Sequence, residues 1–364
     1  MEAPALPGPA DPENLFAELE VGLAAGASDW QYKAGEPCWV RVHGAMRRIE
    51  QPPLPAPRLQ ALAMAAIGSA VPIGIGRDAA FAHAGAFFRL HAYSAGGDFC
   101  LNLRHIPREI RPLEALGAPS AFRRAVLASA RGLVLVTGPA GSGKSTTLAA
   151  TIDALNAERS GVILTYEDPI EFRHGNRRCL VRQQQKGVDF GDFAEGLRGA
   201  LRADPDILLV GEMRDGETIS AAMTAAETGH LVLGTLHCGA ARDAVSRIID
   251  AYPPERSADA RLQLAKSLVA VLAQQLVPSR DGRRVGAFEL MLATPGIRHL
   301  IAEPGGRHHL LANEIATGRS HGMIAMDQAL EDLWRRRTIG RPETLAAAVH
   351  PAALEPLLAA GRAR

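Results

Sequence analysis

The stretch Gly138–Thr146, GPAGSGKST, follows the apolar run LVLVT (residues 133–137) and leads into TLAATIDALN (residues 147–156), whose composition reads as a helix. It fits G-x-x-x-x-G-K-[S/T] in the strand, loop, helix setting that the pattern requires. Glycines let such a loop wrap phosphate oxygens with backbone N–H groups, and the helix that follows turns its positive end toward the same charge. Gly138, Pro139, Ala140, Gly141, Ser142, Gly143, Lys144, Ser145 and Thr146 are therefore the expected phosphate-binding residues. Lys144 should reach the β and γ phosphates of a nucleoside triphosphate, and the Ser145 hydroxyl should ligate Mg²⁺.

Outward from this loop, apolar β-type runs recur as GVILTY, DILLVG, HLVLGTL and VGAFELML, with helical stretches between most of them. The alternation predicts an α/β domain with a largely parallel sheet covered on both faces. From about residue 255 the pattern reads as mostly helical, through ARLQLAKSLVAVLAQQL, MDQALEDLWRRR and RPETLAAAVHPAALEPLL. The first 105 residues read as α+β, with a helix in ENLFAELEVGLAAG, a Pro-bounded entry to a second helix in QPPLPAPRLQALAMAA, and strands in PCWVRVHG, FFRLHAY and FCLNLRHI. Between the two parts, HIPREIRPLEALGAP is rich in Pro and Arg and weak in periodicity. The expected organisation is a domain over 1–105, a linker over 106–115 and the ATPase-type domain over 116–364, helical in its last third.

Composition narrows the function. With 364 residues, 47% of them hydrophobic, the chain can bury the cores of two domains. Forty basic and 39 acidic residues give a net charge of +1, and aromatic residues make up 5%, so neither the basic field nor the stacking platforms of a strand-tracking nucleic-acid motor are present. Cys38, Cys100, Cys179 and Cys238 are scattered without a C-x-x-C pair and read as isolated thiols rather than a zinc site. No run approaches the length of a membrane-spanning helix, and MEAPALPGPADPENLF lacks a basic then apolar leader, which leads us to expect a cytosolic chain with at most peripheral membrane contact.

Three further stretches carry chemistry. TYEDPIEF places Glu167, Asp168 and Glu171 within five residues at the end of a β-type run, where parallel sheets present their ligand sites. DILLVGEMRD has Gly211 where a nucleotidase strand would usually present Asp, with Glu212 next to it. Carboxylates from the neighbouring strand could hold the waters of Mg²⁺ and leave Glu212 to take a proton from the attacking water. TGHLVLGTLH brackets a strand with His230 and His237, which an odd separation would send to opposite faces unless each lies in a flanking loop.

Taken together, GPAGSGKST, TYEDPIEF, ILLVGEMRD and TGHLVLGTLH resemble the four sequence boxes of the type II/type IV secretion ATPase superfamily. ALRADPDILLVGEMRDGETISAAMTAAETGHLVLGTLH is most similar to the pilus retraction ATPases. The likeness extends through GASDWQYKAGEPCWVRVHGAMRRI, FRLHAYSAGGDFCLNLRHIP, ATPGIRHLIAE and MDQALEDL. It implies a homohexameric motor with a PAS-like N-terminal domain and a RecA-like domain, using ATP and Mg²⁺ at an inner-membrane pilus platform protein. It also implies that Ser145, Glu167 and Asp168 serve the metal, Glu212 is the catalytic base, Glu171 supports metal and water, and His230 and His237 fill the histidine box. Arg89 and Arg104 match segments whose arginines, in the similar ATPases, reach nucleotide across the subunit boundary. Pilus assembly, type II secretion and type IVB or conjugation ATPases share these boxes. Two positions depart from the family: Gln31 stands where SDWQY would carry His, and Ala302 where GIRHLIAE would carry a second Arg.

Overall fold

The structure, a computed structural model, describes residues 16–42, 45–68, 76–106, 109–303 and 310–360. The chain divides into two compact units, residues 1–109 and 110–364.

In the first unit the described elements are α1 (Ala17–Ala24), β1 (Ala27–Lys33), β2 (Trp39–Val42), β3 (Ala45–Arg48), α2 (Ala56–Ile67), β4 (Arg77–His83), β5 (Ala86–Ala95) and β6 (Asp98–Ile106). The strands form one antiparallel sheet in the order β3-β2-β1-β6-β5-β4. Alternation along β5 buries Phe88, Leu90 and Ala92 against Trp30, Leu59 and Leu62. The intervening Arg89 and His91 therefore stand on the opposite, polar face. The Trp30 indole donates to the Glu18 carbonyl at 2.9 Å, so its polar edge is satisfied inside the core.

The second unit runs α3 (Ser120–Ala128), β7 (Gly132–Thr137), α4 (Lys144–Glu158), β8 (Gly161–Glu167), β9 (Cys179–Gln185), α5 (Phe193–Ala200), β10 (Ile207–Val210), α6 (Gly216–Glu227), β11 (Leu231–Leu236) and α7 (Ala241–Asp250). It continues with α8 (Ser257–Ser267), β12 (Leu268–Pro278), β13 (Arg284–Leu292), α9 (Pro295–Ala302), α10 (Leu311–Thr317), α11 (Met326–Arg335), α12 (Arg341–Ala347) and α13 (Pro351–Ala360). Its seven strands form one sheet, β13-β12-β7-β11-β10-β8-β9, parallel at every pair except β12 with β13. Leu133 and Leu135 of β7 pack into the core on one face, Val134 and Val136 into the core on the other. Such double burial explains why these strands read as unbroken apolar runs. Two of the helices start at capping carboxylates: Asp192 accepts from the Ala194 and Glu195 amides ahead of α5, and Asp215 accepts from Thr218 at 2.8 Å ahead of α6.

One expectation fails. ARLQLAKSLVAVLAQQL is not one helix: it is helical only to Ser267 and then becomes β12, a strand that interrupts the helical pattern expected from 255. Leu268–Pro278 pairs in parallel with β7 and antiparallel with β13, buried between them. A segment apolar on all sides satisfies a central strand as readily as a buried helix, and here strand pairing decides.

Candidate active site

Register brings the site together. Thr137 pairs with Leu236, and Val210 pairs with both Gly234 and Tyr166, so the chain leaves β7, β8, β10 and β11 along a single edge of the sheet. A cavity of about 260 Å³ opens at that edge. It is lined by Ala140, Gly141, Lys144 and Ser145 from the glycine-rich loop, by Glu167, Asp168 and Glu171 after β8, and by Gly211, Glu212 and His237.

Gly211 is a matter of space. Its N–H donates to the Tyr166 carbonyl at 2.8 Å, and a Cβ there would lie 3.0 Å from that same oxygen and 3.3 Å from the Glu167 Cα. The close approach of β10 to β8 makes a side chain here tight, so that the neighbouring backbone would have to give by a few tenths of an ångström, and Glu212, the next residue, brings its carboxylate to the cavity. Its Oε2 is 2.8 Å from Nη2 of Arg214, a guanidinium whose side chain is largely exposed. Sequence reading passed over Arg214, although it lies within the quoted DILLVGEMRD.

The Lys144 ammonium donates to the carbonyls of Gly138 (2.9 Å) and Pro139 (3.0 Å), folding over its own loop, and burial lowers its pKa. Gly143, at φ +90°, caps α4 in a conformation that L side chains rarely adopt. Glu167 accepts from Thr165 Oγ1 (2.6 Å) and Gln183 Nε2 (3.0 Å), and burial pushes its carboxyl up. Asp168 is 3.4 Å from the Lys186 ammonium. For His237, burial and then the neighbouring Lys144 charge hold the imidazole below its ordinary value.

His230 is not in this cavity. Both histidines flank β11 rather than lie in it, so they mark its two ends, roughly 20 Å apart for seven extended residues. His230 Nδ1 donates to the Ala225 carbonyl at 2.9 Å, an anchor between α6 and β11. Arg89 and Arg104 belong to the first unit and line a polar hollow of about 390 Å³ on its sheet, with Asp29, Gln31, Asp78 and His91. Asp29 accepts from Arg104 Nε at 2.7 Å, and Asp78 lies 3.5 Å from Arg89 and 3.2 Å from His91. Ala302 closes α9 and packs on the large core.

Could these residues hold Mg²⁺? Among the described residues no group of three or more His, Cys, Asp or Glu side chains is arranged to hold a metal by itself. Mg²⁺ in phosphoryl-transfer sites keeps several waters and relies on the substrate's phosphates. A hydroxyl with nearby carboxylates, as in Ser145, Glu167 and Asp168, fits that mode of binding.

His174, missed by the sequence reading, also lines the cavity. Its Nδ1 is buried without a partner, and burial lowers its pKa to about 4 from 6.5. Between those values the unfolded chain takes up a proton that the folded chain refuses, so stability should fall as pH drops through that window. The loss should be at most about 3 kcal/mol. Thermal melts between pH 7 and pH 4.5 should show a shallower decline for His174→Gln than for the unmodified chain; equal slopes would remove His174 as the cause.

A second pocket, of about 130 Å³, shares Gly143 and Thr146 with the loop and is walled by Leu116, Leu276, Arg111 and Arg284. Comparison with known proteins bears on what such a pair of cavities serves. Residues 95–309 match the family described as type II/IV secretion system protein. The type IV pilus retraction ATPase PilT of Pseudomonas aeruginosa is 44% identical over 328 residues, 89% of this chain and 94% of that protein. The chain belongs to the type II/IV secretion system protein family. Among solved structures, the pilus retraction motor PilT with bound ADP superposes with a TM-score of 0.84 at 34% identity, covering 94% of this chain and 99% of that one. The ATPase DotB of Legionella pneumophila superposes at 0.78 and 28% identity, covering 94% of this chain and all of that one. No helix among the described residues is long and apolar enough to cross a membrane.

Proposed function

We propose that this family member is an ATP-hydrolysing motor that powers retraction of a type IV pilus. The observation that carries the reading is the likeness to retraction ATPases along nearly the whole of both chains, at 44% identity. The site is equipped for the chemistry. ATP lies with its phosphates in the larger cavity and its base against Leu116 and Leu276, beyond Thr146. Lys144 leaves the Gly138 and Pro139 carbonyls to meet the phosphates, an exchange of neutral acceptors for charged ones. Glu212 takes a proton from water as its oxygen bonds to the γ phosphorus and the bond to the bridging oxygen of ADP breaks. Ser145 and, through water, Glu167 and Asp168 would hold Mg²⁺, which would supply positive charge against that building on the phosphates. Glu171 orients water at the cavity mouth, and neutral His237 offers a hydrogen bond there.

The working form is a homohexamer of PAS-like and RecA-like units, with Arg89 and Arg104 of one subunit completing the site of the next. It works in the cytoplasm, peripheral to the inner membrane, against a pilus platform protein. Deleting the gene and counting surface pili tests the direction of work. Excess pili with lost surface motility is the expected result; a bald cell would mark an assembly motor, and normal piliation would point to a secretion or conjugation system.

A further inference from the structure

We propose that Gln274, on β12, is a positioning residue that sets the peptide between Ser142 and Gly143 so that the glycine-rich loop can receive a β phosphate. The proposal rests on the nucleotide reading above and adds a residue from a strand that the sequence concealed.

Gln274 is 2% exposed, and its Nε2 donates to the Ser142 carbonyl at 2.7 Å. That bond fixes the amide's orientation, because the opposite assignment would set two acceptors against each other. In a trans peptide the C=O of one residue and the N–H of the next point in opposite directions. Holding the Ser142 carbonyl toward β12 therefore turns the Gly143 N–H away from β12, to the inner side of the loop. Gly143, at φ +90°, belongs to the one residue type that accepts either sign of φ, so rotation of this peptide meets little local resistance. A rotated peptide would aim a carbonyl dipole, negative end first, at the incoming phosphate.

The surroundings favour this role over packing. Gln274 Oε1 is buried and has no hydrogen-bond partner, a feature that a leucine would avoid while filling the same space. β12 is also built against the loop: a Cβ on Gly138 would lie 2.3 Å from the Gln274 carbonyl, and one on Gly143 would lie 3.3 Å from its Nε2. The strand's backbone and its amide thus grip the loop at both ends.

The test compares ADP, which has the β phosphate, with AMP, which lacks it. Gln274→Met keeps length and burial but removes the donor. It should weaken ADP binding about tenfold or more, the scale of one buried hydrogen bond with its dipole reversed. AMP binding should stay within about twofold, since Gln274 also lines the base pocket but methionine keeps the length and burial of the side chain there. Gln274→Leu should behave alike and stands in if the methionine variant does not fold. Equal losses for ADP and AMP would make Gln274 a packing residue and overturn the proposal, as would ADP binding unchanged in both variants. A wild-type chain that bound neither nucleotide would instead overturn the reading of the site itself.

Discussion

Purified Glu212→Gln protein should bind ATP as the unmodified chain does and turn it over about 100-fold more slowly or worse, a loss of roughly 2.7 kcal/mol of transition-state stabilisation. The amide preserves shape and can still touch a water but cannot take its proton. Arg214, 2.8 Å from Glu212 in this structure, pairs with the carboxylate and must give way for it to reach water. Its largely exposed side chain has room to do so. Lys144→Ala should show the complementary pattern, with nucleotide binding itself impaired, because the ammonium is the cation of the loop. Steady-state hydrolysis and equilibrium binding on the two variants separate the roles. Near-normal turnover by Glu212→Gln would remove Glu212 as the base and leave Glu171, on the same cavity, as the carboxylate to examine.

What could be read in the sequence follows from how local each signal is. The loop at 138–146 was legible because its glycines, lysine, preceding strand and following helix lie within about 25 consecutive residues, and each has a physical reason to be there. The central strands were legible because burial on both faces makes them continuously apolar. The same property hid β12. SLVAVLAQQLVP follows α8 with no Gly or Pro between, and only Val269, Val271 and Val277 argue for a strand. What makes it one is pairing with β7 and β13, a fact of the sheet rather than of the segment. With β12 unread, Gln274 had no place beside the loop.

Two other misses have different causes. β1 (ASDWQYK) mixes a buried Trp30 and Tyr32 with Asp29, which is buried because Arg104 on the neighbouring strand pairs with it. β9 ends in three glutamines at the edge of its sheet, with only one neighbour to bury it. The histidines show the limit of periodicity itself. An alternation argument applies to residues within a strand, and both lie just outside β11, so the relevant variable is which end of the strand each occupies. The apolar pattern carries no sign of direction, whereas the position of the glycine-rich loop at the end of β7, parallel to β11, does.

Arg104→Ala protein should assemble and bind ATP yet hydrolyse it poorly, by a factor on the order of 10³ if the arginine meets the redistributing phosphate charge. The first unit supports this use of the side chain. Arg104 sits opposite Asp29 on β1 and opposite Arg89 on β5, and Asp29 takes its Nε, which leaves the outer guanidinium nitrogens to face a ligand. An arginine engaged only in a surface ion pair would contribute little, at most about 1 kcal/mol, and its loss would leave hydrolysis nearly unchanged. Mixing distinguishes action in trans from action in cis. Arg104→Ala subunits keep an intact loop, and Lys144→Ala subunits keep an intact arginine, so neither parent ring should work. In a head-to-tail ring each subunit offers one face to the next, and random mixing in equal amounts makes roughly a quarter of the junctions competent. Hydrolysis should therefore reappear on mixing and rise with the extent of subunit exchange, which fluorescence transfer between labelled subunits can follow. Rings shown to have exchanged that remain inactive would place the arginine's action within its own subunit, or deny it a part in hydrolysis.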